Sequence, residues 1–236
     1  MREREAVNGN RLMLVGAVLY LLEWVAIIPA GDTGPSELGK TASSTIVSLY
    51  QGHARGAGFI AGWCAVVLMG RILIVLGARQ ALRGVRHQAL ADWAVVVMGV
   101  SIAVEVVEVA LIAGTSHATS AATVDDSVVV ALDAVAGLLF NTVVAALGVS
   151  VAAASAAMLT SRRFPLWISV VGLVSGTLMM AGGVLLAGSG GEDGALRSTG
   201  LALQLGVPLF WLWMLAGGIY LWRQPRASGR AGAASA

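Results

Sequence analysis

The stretch Trp93–Gly114, WAVVVMGVSIAVEVVEVALIAG, is long and apolar enough to cross a bilayer. A bilayer permits a chain few shapes. Hydrocarbon offers no water to backbone N–H and C=O groups, so a spanning segment must close its own hydrogen bonds, as a helix does. About 20 apolar residues at 1.5 Å each match the roughly 30 Å of hydrocarbon. This run nevertheless carries Glu105 and Glu108. One ionisable group at the bilayer centre costs about 2.5–3.5 kcal/mol on insertion scales, so two carboxylates on one span mark a functional site by default.

Five further runs have the same character: Leu12–Ile28, Gly56–Gly77, Ser127–Leu159, Leu166–Leu186 and Thr199–Trp222. Composition agrees. The chain is 57% hydrophobic and 12% charged, against about 25% charged in an average globular protein. A soluble core could not hide so much Leu, Val and Ala without exposing large apolar patches. The expected fold class is therefore all-α, a polytopic bundle of six transmembrane helices. It divides into a polar N-terminus (1–11), a transmembrane domain (12–222) with a long outer loop (30–55), and a low-complexity basic tail (223–236) read as disordered. Within the long loop, SELGKTASSTIVSLYQ predicts a short interfacial helix with Leu38, Ile46, Leu49 and Tyr50 as apolar contacts. The fourth run is longer than a bilayer needs and should tilt or project. The first lacks an A-x-A-like cleavage site after its apolar run and reads as a retained helix rather than a signal peptide.

Basic residues sort by loop. Arg2, Arg4, Arg11, Arg79, Arg83, Arg86, Arg162, Arg163, Arg223, Arg226 and Arg230 fall on one side. The other side has only Lys40, Arg55 and Arg197, beside Asp32, Glu37, Asp125, Asp126, Glu192 and Asp193. By the positive-inside rule both termini are cytoplasmic. The net charge of +2 is thus a topology signal, not a phosphate-binding patch, and nucleic acid is not an expected partner. The expected location is a bacterial plasma membrane, crossed several times.

Topology gives each intramembrane polar residue a depth. Glu23, Glu105, Glu108, Asp133 and Gln204, on four different spans, all fall toward the outer half. Ser101, Glu105 and Glu108 share a face at i, i+4, i+7. Asp133, Gly137 and Asn141 do so at i, i+4, i+8, and Gly16, Tyr20 and Glu23 form a similar stripe. Arg71 is the lone basic residue deep in a span, expected in the inner half on the face of Cys64, with Asn141 able to bridge it to the acids. Lipid offers these groups no partner, so the stripes should face inward. Four acids and one arginine cannot all be charged in a low-dielectric bundle. Glu105, Glu108 and Asp133 are therefore candidates for a proton relay or a general acid, with Glu23, Arg71, Asn141, Gln204, Trp24 and Trp63 as candidate ligand-binding residues. The competing structural reading is that Gln204, Asn141, Ser101 and Tyr20 simply bond neighbouring helices, at about 0.6 kcal/mol each.

Other signals carry less. Cys64 is the single cysteine, which rules out an internal disulfide or a cysteine zinc cluster. His53 and His117 match no ligand spacing, so no metal is expected, and no cofactor motif (P-loop, GxGxxG, HExxH or GxSxG) occurs. Met69, Met98, Met158 and Met179–Met180 read as lipid-facing or packing residues, and Gly176, Gly182 and Gly183 as sites of close helix approach.

Three motifs carry a family likeness: the Gly31-Asp32 opening of a loop rich in small residues (KTASSTIVS), the arginine-ended ILIVLGARQALR, and RRFPLWISVVGLVSG. In these the chain resembles bacterial six-helix membrane proteins catalogued as domain of unknown function 4386. That resemblance implies the fold and topology above and no particular activity.

Three functions compete. In the first, the bundle binds, and transports with protons, a small apolar or cationic molecule at the acidic site; six spans are few for a lone transporter, so a homo-oligomer within membrane lipids is expected. In the second, the protein is an enzyme that uses a buried carboxylic acid on a lipid-soluble substrate, in the manner of membrane terpene cyclases. Trp24, Trp63, Trp211 and Trp213 would then wall the cation. In the third, it is a passive component that assembles or regulates a partner.

Overall fold

A computed structural model describes residues 2–30, 42–84, 87–190 and 194–224, and every regular element among them is a helix. These are α1 (Arg2–Leu21), α2 (Glu23–Ala30), α3 (Ser43–Tyr50), α4 (Ala54–Val67), α5 (Met69–Ala81), α6 (Gln88–Ser120), α7 (Asp126–Ser161), α8 (Leu166–Gly188), α9 (Ala195–Leu203) and α10 (Gly206–Arg223). Five stretches are long and apolar enough to cross a membrane: Ala54–Ala81, Gln88–Ser120, Asp126–Ser161, Leu166–Gly188 and Ala195–Arg223. Together they mark a multi-pass membrane protein. Several residues used above lie outside the described ones: Asp32, Glu37, Lys40, Arg86, Glu192, Asp193, Arg226, Arg230 and the tail beyond 224.

The helices form a closed ring in chain order. The α1–α2 rod packs on α4–α5, α4–α5 on α6, α6 on α7, α7 on α8, α8 on α9–α10, and α10 returns to α1. Short α3 lies over α6 and α7. In lipid, helices gain little from hiding apolar surface and associate through close van der Waals packing, which small residues permit. At the α1–α5 seam a Cβ on Gly16 would stand 2.4 Å from the Gly70 carbonyl oxygen, and one on Gly70 would stand 2.6 Å from that of Gly16. At the α7–α8 seam a Cβ on Gly176 would reach within 2.4 Å of the Ala152 nitrogen, and one on Gly183 within 2.5 Å of the Asn141 carbonyl oxygen. The α6–α7 seam is stitched by serines: Ser101 donates to the Val143 carbonyl (3.2 Å) and Ser150 to that of Ala94 (2.7 Å). Phe210, Trp213, Met13, Met98, Met158 and Met179 fill the interior, whereas Met69 and Met180 face outward. Many apolar side chains, among them Val15, Phe59, Val96 and Trp167, are left exposed on the flanks, as a lipid-facing surface requires.

Two features of the helices affect the site. Helices α6 (33 residues) and α7 (36 residues) reach about 50 Å, longer than the hydrocarbon is thick, an excess expected for α7 but not for α6. Three predicted spans are also interrupted. The first breaks at Leu22, whose N–H is shared between the carbonyls of Val18 (3.3 Å) and Leu19 (3.2 Å). The indole N–H of Trp63 donates to the Leu22 carbonyl (2.8 Å) and holds the break from α4. The second tightens at Leu68, whose carbonyl accepts from Arg71 N–H three residues on (3.0 Å). The last breaks at Gln204–Leu205, where Pro208 has no N–H to return to the Gln204 carbonyl; Val207 N–H takes its place (2.9 Å).

Arginines gather at one end of the ring. The Arg163 guanidinium donates to the carbonyls of Ala81 (2.8 Å) and Arg83 (3.1 Å), the Tyr220 hydroxyl donates to the Arg163 carbonyl (3.1 Å), and Arg11 stacks over Trp222 at 4.9 Å. Arg79 pairs with Asp92 near the same end. Arg11, Arg79, Arg83 and Arg163 thus share one end of the molecule.

Candidate functional site: a buried acidic layer

The helix breaks at Leu22 and Leu68 come immediately before the charged residues of the layer. Glu23 opens α2, and Arg71 sits in the first turn of α5. Arg71 is almost wholly buried and forms an ion pair with Glu105 of α6. Its guanidinium lies 5.3 Å from the Tyr20 ring, a cation–π contact from α1. Arg71 thus reaches Glu105 across the α5–α6 contact.

Glu23 is buried and accepts from the Cys64 thiol at 3.9 Å. Glu108 is 4% exposed, and no hydrogen bond or ion pair from the described residues reaches its carboxyl. It lies within electrostatic range of Glu23, Arg71, Cys64 and Tyr50. Asp133 on α7 is buried and accepts a hydrogen bond from the Tyr50 hydroxyl at 2.8 Å. Tyr50 was missed as a site residue because its place in a loop helix made it look like an interfacial anchor. Burial, then the bond to Asp133, pushes its phenol above the usual range, so it stays a proton donor. Tyr50→Phe removes a buried donor to a carboxyl and should cost about 1–3 kcal/mol in thermal unfolding, more than an exposed tyrosine would.

Aromatic rings flank the layer on the α10 side. Tyr20 and Phe210 have centroids 5.8 Å apart, and Trp24 meets Trp211 edge-on at 5.3 Å. Trp63 stacks on Phe59 (6.3 Å) and spends its N–H on Leu22, so it supports the helix break rather than facing the acids.

Two candidates stand apart. Gln204 sits at the α9–α10 break, its side-chain nitrogen buried and unpartnered, with no contact to the carboxylates among the described residues. Asn141 lies on the stretch of α7 seated against Gly183 of α8, and among the described residues no hydrogen bond joins it to Arg71 or the acids. Ser101 belongs to the α6–α7 seam. The joined set is thus Tyr20, Glu23, Cys64, Arg71, Glu105 and Glu108, extended through Tyr50 to Asp133. Among the described residues no three His, Cys, Asp or Glu side chains are grouped to hold a metal ion.

Comparison of the chain with family models, with curated proteins and with solved structures gives no match. What the site can do follows from its charge. One guanidinium is committed to Glu105, so ionised Glu23 and Glu108 would face each other in a low-dielectric interior without a counter-charge of their own. Protons or a bound cation would supply that counter-charge.

Proposed function

We propose that the chain is a six-span membrane protein that binds a small cationic molecule, and exchanges it for protons, at Glu108 and Glu23. The observation that carries this reading is the Glu108 carboxyl: buried, unbonded by the described residues, and beside an arginine already paired with Glu105. Helix interruptions in front of Glu23 and Arg71 fit it. Discontinuous spans are where transporters build ion and substrate sites, because broken turns free backbone groups in mid-membrane. The sixth span is α1–α2, whose Met13, Ala17 and Tyr20 face the bundle while Val15, Val18 and Val25 face outward. With the arginine-rich end inside, both termini are cytoplasmic in a bacterial plasma membrane. A homo-oligomer belongs to the same proposal, as does the kinship with the domain of unknown function 4386 proteins.

The test uses tetraphenylphosphonium as a probe cation, with purified protein in liposomes and a pH-sensitive dye inside. Glu108→Gln should weaken probe binding by roughly tenfold or more and abolish probe-driven proton movement. Its unfolding midpoint should stay near wild type, since no bond to the protein is lost. Unchanged binding and proton movement in this variant would sink the reading.

The second reading is a general acid acting on a lipid-soluble substrate, and the rings of Tyr20, Phe210, Trp24 and Trp211 beside the acids favour it. Incubating membranes with polyprenyl substrates discriminates: this reading requires a cyclised product that Glu108→Gln abolishes.

A further inference from the structure

At the arginine-rich end, remote from the acids, a cleft of about 540 Å³ opens at the α7–α8 turn, lined by Leu159, Arg162, Phe164, Leu166 and Ser169. Three observations meet there. Helix α8 begins at Leu166 with no side-chain cap; the N–H groups of Ile168 and Ser169 turn back to the Pro165 carbonyl, which leaves those of Leu166 and Trp167, with the positive end of the dipole, available to an anion. The Ser169 hydroxyl, on the first turns of the same helix, is fully buried and bonded to nothing, although it lines the cleft. A lone buried hydroxyl costs free energy unless something accepts its proton. Arg162 holds a left-handed backbone (φ 55°) that a glycine would adopt without strain. The chain keeps a cationic side chain where the backbone favours none.

The remaining wall is apolar, and exposed Leu166 and Trp167 follow it into the lipid-facing flank. Free phosphate has no use for such walls. We propose that this cleft binds the phosphodiester headgroup of an anionic membrane lipid, with Arg162 and the α8 N-terminus on the phosphate, Ser169 donating to one of its oxygens, and the apolar wall against the first acyl carbons. This site is independent of what the acidic layer binds. Arg163 takes no part, because its guanidinium ties the turn to the carbonyls of Ala81 and Arg83.

The experiment is native mass spectrometry and thermal unfolding of the full chain in mild detergent, titrated with phosphatidylglycerol, phosphatidylcholine or inorganic phosphate. Phosphatidylglycerol should be retained and raise the unfolding midpoint, phosphatidylcholine much less, and inorganic phosphate at equal concentration not at all. Arg162→Gly relieves the backbone, so it should melt at or above wild type without lipid, yet bind phosphatidylglycerol at least roughly tenfold more weakly. Ser169→Ala breaks no bond within the protein and should fold as wild type while weakening the lipid by a smaller factor. Equal lipid affinity in both variants and wild type would overturn the site. Stabilisation by inorganic phosphate matching that by phosphatidylglycerol would overturn the lipid as its occupant.

Discussion

Arg71→Met should lower the unfolding free energy by about 3 kcal/mol, because it leaves the Glu105 carboxylate, 14% exposed, without its counter-charge. The loss comes from the abandoned acid rather than from any large net gain of the ion pair. Replacing both members, Arg71→Met with Glu105→Leu, should therefore recover most of it, and the two single changes should be strongly non-additive. Denaturant titration of the detergent-solubilised protein, read as a double-mutant cycle, gives the coupling directly. A double variant no more stable than Arg71→Met alone would mean that the guanidinium is held chiefly by Tyr20, 5.3 Å away, and by the other acids.

The second large effect is expected at the α1–α5 seam. Gly16→Val or Gly70→Val places side-chain atoms where the opposing backbone already stands, at 2.4 and 2.6 Å from a carbonyl oxygen. Neither backbone has a rotamer with which to yield. Overpacking of this kind costs about 3 kcal/mol, and here it also separates Tyr20 from Arg71. Gly62, whose added Cβ would meet nothing within 4 Å, is the control and should accept Ala at little cost. Unfolding midpoints of the three variants decide it: a Gly70→Val protein as stable as Gly62→Ala would mean that the seam is looser than its contacts imply.

The helical rods were legible because lipid imposes a length and a polarity that composition cannot hide. Their interruptions were legible only in part. Pro208 signals the α9–α10 break four residues ahead of it, but nothing near Leu22 does, since that break depends on an indole donor from another helix. The acids announced themselves as anomalies in apolar runs. Their partners did not. Counting residues fixes depth to about a turn and says nothing of the angle around the helix axis. Depth alone therefore groups Asn141 and Gln204 with the acids, although no hydrogen bond joins them among the described residues. Tyr50 escaped because a polar tip on a loop helix looks the same whether it meets water or Asp133.

The closure of the ring has a consequence for biosynthesis. Helix α1 is translated before both of its neighbours: one of its flanks is completed by α5 and the other by α10, far later in the chain. Glu23 is made before Cys64 and Arg71, and the seat of Phe210 against Tyr20 stays vacant until α10 has been made. A ribosome halted before residue 206 would leave a nascent chain with its α1 flank open to lipid or to an insertion chaperone. The acids can meet their partners on α4–α7 before α10 exists, but the aromatic flank of the layer closes only when α10 docks on α1.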